Sequence, residues 1–214
     1  MTKSVDDTLE TSYYYATALH YIAKPEFIKD VLPVFDEAVE YAKKVSPVDE
    51  LYPSTMTANL FMDPRTKEFC QYIAGTAWNI LNTQGYKMDD KITYFHSMWG
   101  HQYEKYGSMD EHVHNDGVQI VGFYFLECPE NSPKLVVHDP RPGKVILSMT
   151  ESDPKKISQA TNASVFEPQA GSLFFSNAWL PHSFTRSGSD KPFKFIHINI
   201  SVMPVPATEG PVII

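Results

Sequence analysis

Cysteine is nearly absent from this chain of 214 residues, which holds only Cys70 and Cys128. Two thiols are too few for a disulfide framework or a cysteine-type zinc site, and they read as reduced side chains of a cytoplasmic protein. No apolar run approaches the roughly 20 residues that cross a bilayer, so a membrane span is not expected. Basic charge is short as well: 18 Lys and Arg stand against 26 Asp and Glu, a net charge of −8. Chains that grip phosphate backbones present a basic face, so no nucleic-acid partner is expected. The polar start, Met1 to Asp7, has no apolar run behind it and does not read as a secretory signal. What remains is an ordinary globular composition, 43% hydrophobic and 21% charged. A chain of this length can bury a full core without staples.

Residues 1–11 are polar and read as frayed. The aromatic segment Tyr13 to Ile22 reads as a strand. From Pro25 onward Ile28, Val31, Leu32, Phe35, Ala38, Val39 and Ala42 recur at helical spacing. That predicts an amphipathic helix ending by Val45-Ser46-Pro47. Residues 46–65 read as a long connection punctuated by Pro47, Pro53 and Pro64. A second helix is predicted from Thr66 to Thr83, stopped before Gly85. Beyond Gly85 the helical period disappears. Short β-branched and aromatic runs follow at 91–99, 101–106, 118–126, 134–138, 144–149, 163–167, 172–176, 182–186 and 193–202, separated by turn residues. So many strands without intervening helices predict a sandwich or barrel, mainly β, with two N-terminal α-helices covering one sheet. The chain reads as a single domain over 1–214: a helical region over 1–88, a β core over 89–203 and a Pro-rich tail over 204–214.

Eight histidines are present, and most single histidines are structural. The group that stands out is Glu111-His112-Val113-His114-Asn115-Asp116-Gly117. In an extended segment residues two apart share a face, so His114 projects with Asp116, and His112 with His114. An imidazole and a carboxylate so placed can take adjacent positions on one metal ion. The third ligand is expected from His182, which follows Trp179-Leu180-Pro181 at the start of a strand. Two histidines and one carboxylate leave three positions of an octahedron open, which suits non-haem Fe(II).

At these residues the chain resembles the 2-oxoglutarate- and Fe(II)-dependent oxygenases, in particular the small prolyl-hydroxylase-like members. The resemblance is carried by His114-Asn115-Asp116, Gly122-Phe123-Tyr124-Phe125-Leu126, Asp139-Pro140-Arg141, Pro168 to Phe175 and Trp179-Leu180-Pro181-His182, and by the closing strand to Asn199. It implies a double-stranded β-helix (jelly roll) with iron at one end, held by His114, Asp116 and His182. It also implies Fe(II), 2-oxoglutarate and O2 as the reacting set. Oxidative decarboxylation to succinate would be coupled to hydroxylation of a C–H bond in a small molecule or a peptidyl proline. Related sequences often carry His-x-His at the first site, and His112 with His114 supplies that pair too. The rival ligand set is therefore His112, His114 and His182, which would better suit thiol or diketone dioxygenases.

The resemblance further implies a basic residue on the last core strand for the far carboxylate of 2-oxoglutarate. Lys194 is the choice, with Arg186 and Lys191 as alternatives. Tyr124 and Tyr103 are candidate hydroxyl donors to the same carboxylate, and Asn199 a pocket-lining residue. A cupin-like three-histidine metalloenzyme and a non-enzymatic jelly-roll binding module are the competing classes. A cupin would need a glutamate soon after the His-x-His pair, and none precedes Glu127. A binding module has no need for converging His and Asp.

Overall fold

The computed structural model describes residues 10–147 and 149–205. A six-stranded sheet runs in the order β1-β8-β5-β10-β3-β2, and a four-stranded sheet in the order β4-β9-β6-β7. The strands of the larger sheet are β1 (His20–Ala23), β2 (Ser54–Asn59), β3 (Lys91–Tyr103), β5 (Val118–Glu127), β8 (Ser172–Asn177) and β10 (Phe193–Pro204). Those of the smaller sheet are β4 (Met109–His112), β6 (Leu135–His138), β7 (Ala163–Phe166) and β9 (His182–Phe184). All pairings are antiparallel, and the two sheets face each other as a jelly roll.

Two apolar layers follow from the side-chain period of two. On β10, Phe193 and Phe195 face inward between the sheets, with Phe123, Phe125, Phe174, Phe184, Leu135 and Val137. Ile196, Ile198 and Ile200 face outward, against helices α1 (Ile28–Val45) and α2 (Lys67–Thr83). The helices bring Val31, Phe35, Val39, Phe69 and Ile73 to that outer face. Each such side chain contributes about 1.5–3 kcal/mol on burial.

Two glycines permit the close approach. A Cβ on Gly100 would lie 2.6 Å from the Phe35 ring, so glycine lets α1 settle on β3. Gly171, at φ +80, accepts from the Lys24 amide at 2.6 Å and leaves room for Pro25. That pins the start of the helical layer to the sheet.

Several sequence expectations are corrected. Residues 46–65 are not simply a connection, because Ser54–Asn59 forms edge strand β2 on β3. Buried Thr55 and Thr57 alternate there with exposed neighbours, a short period masked by the flanking prolines. Of the run expected as a strand over 144–149, the described residues 144–147 and 149 are not in one. Pro142–Ile146 forms a one-turn helix, α3, whose Lys144 and Val145 amides both donate to the Arg141 carbonyl. In the segment 13–22 only the end is in β1, and Tyr13, Tyr14 and Tyr15 are exposed. The runs 91–99 and 101–106 form one strand, continuous through Gly100 to Tyr103. Most of the expected tail, 206–214, lies outside the described residues, as do residues 1–9 of the frayed start.

Candidate metal centre

The smaller sheet positions the first two histidines. His112 ends β4 and stands opposite His182 at the start of β9. His114 lies two residues on, where its amide donates to the Ala178 carbonyl at 2.9 Å. Ring centroids are 4.5 Å apart for His112 and His182, 5.0 Å for His112 and His114, and 5.2 Å for His114 and His182. One ring nitrogen from each lies within 4.8 Å of the others.

Local hydrogen bonds fix the tautomers. Nδ1 of His112 donates to the Asp110 carbonyl at 2.8 Å, and Nδ1 of His182 donates to the Leu180 carbonyl at 2.9 Å. Each bond leaves Nε2 as a bare lone pair, the usual way a ligating imidazole is oriented. The Nε2 atoms of His114 and His182 are buried with no hydrogen-bond partner. Burial pushes His182 down to about 3 and His114 down to about 4, so both are neutral near pH 7. Buried, neutral and unpartnered, these nitrogens fit a divalent metal ion.

The floor of the centre is aromatic. His197 on β10 lies 5.0 Å from His114, between Trp99 at 4.4 Å and Phe123 at 4.7 Å, all as ring centroids. The Trp99 indole donates to Nε2 of His101 at 2.6 Å. Burial holds His101 down to about 3 and His197 well below the ordinary histidine range. The sequence reading did not single out Trp99, His101 or His197 as lining the site. The alternation Phe193, Phe195, His197, Asn199 on one strand was the available signal.

The structure brings His112 to His114 and His182, and it leaves Asp116 outside. The reason is local. The extended run ends at Asn115, whose carbonyl accepts from the Val118 amide, closing a turn with Asp116 at φ +54 and Gly117 at φ +81. The alternation that would align Asp116 with His114 stops one residue too early, and Asp116 is exposed.

The expected co-substrate contacts are dispersed. Lys194 points to the outer face, where Nζ lies 2.9 Å from Asp36 and 3.2 Å from Glu127. Its inward-facing neighbours are Phe193 and Phe195. Arg186 and Lys191 are exposed. Tyr124 also faces outward: its hydroxyl donates to the Lys24 carbonyl at 2.8 Å and its ring packs on Phe69. Tyr103 is inward, but wedged among Phe184, Phe193 and Phe195. Asn199 is inward and donates to Ser97 Oγ at 3.0 Å, with its Oδ1 unpartnered. The residues present therefore fit a metal ion. The expected strand-borne cation for a second carboxylate does not reach the interior.

A cleft of about 200 Å³ is lined by Val137, Arg141, Thr161 and Leu180 among others, and not by the three histidines themselves. Val137 is the direct β-partner of His182. Arg141 donates two bonds to the Asp139 carboxylate, which the guanidinium holds down at about 2.

Residues 97–194 match the family described as "Putative 2OG-Fe(II) oxygenase". Over that stretch, 98 of the 214 residues, the chain is similar to the 2OG-Fe(II) oxygenases. AviO1 from Streptomyces viridochromogenes Tue57 is similar in fold at 12% identity and TM-score 0.60, covering 91% of this chain and 92% of that one. A Pseudomonas putida prolyl-4-hydroxylase is similar at 10% identity and TM-score 0.59, covering 86% and 93%. The epimerase SnoN from nogalamycin biosynthesis, solved with Fe3+, alpha ketoglutarate and nogalamycin RO, is similar at 11% identity and TM-score 0.59, covering 89% and 82%. No curated protein matches the sequence. Among the described residues no helix is long and apolar enough to cross a membrane.

Proposed function

We propose that this chain holds Fe(II) with His112, His114 and His182 and couples oxidative decarboxylation of 2-oxoglutarate to hydroxylation of a C–H bond. In balance, one oxygen atom of O2 enters succinate, the other enters the substrate, and CO2 leaves. The observation that carries the reading is the convergence of three imidazole nitrogens within 4.8 Å, with His114 Nε2 and His182 Nε2 buried and unpartnered. The ion supplies redox chemistry and open coordination positions. The chain's residues orient it through the Asp110 and Leu180 carbonyls and exclude water with Phe123 and Trp99. A small molecule or a peptide segment is the substrate class, entering along the cleft between Val137, Arg141 and Leu180. The polar segment 150–162 edges that cleft through Ile157, Ser158 and Thr161, in keeping with a covering role.

The test is succinate production from 2-oxoglutarate by anaerobically Fe(II)-loaded protein on admission of O2. Wild type forms succinate, and His182→Ala does not while remaining folded. Equal turnover by both would overturn the assignment. One observation favours a second reading: the histidine cluster includes no carboxylate, and Phe193 and Phe195 occupy the inward positions flanking Lys194. A three-histidine dioxygenase that needs no 2-oxoglutarate has these features, and metal-dependent O2 uptake without succinate would select it.

A further inference from the structure

His197 is one of the most deeply placed polar side chains in the molecule, at 1% exposure, and neither ring nitrogen has a hydrogen-bond partner. A neutral imidazole carries one N–H donor and one lone pair, and leaving buried polar groups unmet is costly. Its neighbours cannot meet the need. Phe123 has no polar atom, and the Trp99 indole N–H is engaged by His101. The nitrogens that His112, His114 and His182 turn to one another form the cluster that suits a metal ion. His197 itself is outside that cluster, although its ring centroid lies 5.0 Å from His114, 6.3 Å from His182 and 6.4 Å from His112. It borders the centre without being one of its three ligands.

Asn199 Oδ1 and His101 Nδ1 are also buried and unpartnered, but neither is hydrogen-bonded to His197, and an anionic guest joining the three imidazoles on the ion would bring an acceptor to this position. The interior offers that guest little else. Along the same inner face the next positions are Phe195 and Phe193 in one direction and Asn199 in the other, with the Asn199 amide nitrogen engaged by Ser97.

We propose that His197 donates a hydrogen bond to the carboxylate of the co-substrate at the three-histidine centre, a positioning role that offsets the absence of Lys194 from the interior. The assignment of 2-oxoglutarate as that carboxylate rests on the function proposed above. The donor role extends to any small anion at the centre. A charge-assisted bond of this kind corresponds to roughly a ten- to hundredfold effect on affinity.

The experiment compares wild type, His197→Phe and His197→Gln as Co(II)- and Fe(II)-loaded proteins. Co(II) affinity is measured first, then binding of 2-oxoglutarate to the anaerobic Fe(II) form and of azide to the Co(II) form, both by optical titration. Equal Co(II) affinity in all three, with anion affinity at least tenfold weaker in His197→Phe and partly restored in His197→Gln, supports the proposal. A large fall in Co(II) affinity makes His197 a ligand and overturns it. Unchanged anion affinity makes it a packing residue and also overturns it. Failure of 2-oxoglutarate to bind wild type sinks the proposed reaction alone, and the azide arm then decides the donor role. If His197→Phe does not fold, the ring N–H signal of His197 is followed by NMR in the Zn(II)-loaded wild type. A shift on adding azide supports the donor role, and an unmoved signal overturns it.

Discussion

His112 and His182 stand directly opposite each other across the β4–β9 ladder, with ring centroids 4.5 Å apart. Strand pairing sets that distance, and the Nδ1 bonds to Asp110 and Leu180 set the ring orientation. Because the geometry resides in rigid elements, the centre is organised before any metal arrives.

Ligand substitutions follow from this arrangement. Removing a partner that merely supports a ligand costs about 10–100-fold in metal affinity, and removing the ligand itself costs more. His112→Ala and His182→Ala are therefore expected to lose over a hundredfold in Co(II) or Mn(II) affinity by calorimetric titration. Asp116→Asn is expected to stay within a few-fold of wild type. The reverse order would restore the carboxylate to the ligand set.

Lys194 has a structural consequence in place of a binding one. Its side chain is 13% exposed, while Asp36 and Glu127 are 48% and 42% exposed, so solvent screens much of the pairing. Lys194→Ala is expected to lower stability by about 1 kcal/mol and to leave the apparent affinity for 2-oxoglutarate unchanged. Denaturant midpoints and a succinate assay over a range of 2-oxoglutarate concentrations separate the two effects. A raised KM would mean that the lysine reaches the interior after all.

The buried histidines give the metal-free protein an acid-sensitive stability. Burial holds His101 and His182 down to about 3 and His114 to about 4, with His197 also lowered. An unfolded histidine takes its proton near pH 6.5, so below that pH the unfolded chain binds more protons than the folded one. The stability these groups contribute is complete above about pH 6.5 and is lost as pH falls towards the folded values. Each group contributes a slope of up to about 1.4 kcal/mol per pH unit. Urea midpoints of metal-free protein should fall steeply between pH 6.5 and 4. His101→Phe, if it folds, should show a shallower slope. A flat profile would mean that these rings are solvated.

Much of the fold was legible because the amphipathic periods were long. The stripe Val31, Phe35, Val39 and the alternation along β10 each span enough residues to settle both the element and its buried face. Short elements were lost where a local signal was overruled. Proline punctuation hid β2, and an apolar run at 144–149 masked a helical turn begun at Pro142. At the candidate centre, residue type and order were enough to put His114 and His182 forward, and the structure places them together with His112. Asp116 was misplaced because strand alternation was extended one residue past the Asn115 turn. Lys194 and Tyr124 were misplaced by parity: each lies next to an inward-facing phenylalanine and so faces the helices. Which face a residue takes depends on where the strand begins, and composition does not carry that information.

Gly100 offers a test of whether the helical layer and the centre are energetically separate. A Cβ at this position would sit 2.6 Å from Cδ2 and Cε2 of Phe35 and 3.2 Å from Cγ2 of Thr57. Phe35 is fully buried, so the ring cannot swing into solvent and α1 must shift. Overpacking of this kind costs about 1–3 kcal/mol, which for a chain of this size lowers Tm by several degrees. The strain falls on the outer face of β3, whereas Trp99 and His101 lie on the inner face beside the centre. Gly100→Ala is thus expected to lower Tm while leaving Co(II) affinity within about twofold of wild type, since separated sites act nearly additively. Parallel thermal melts and metal titrations check this. A matching loss of metal affinity would show that β3 transmits the displacement of α1 to the histidine cluster.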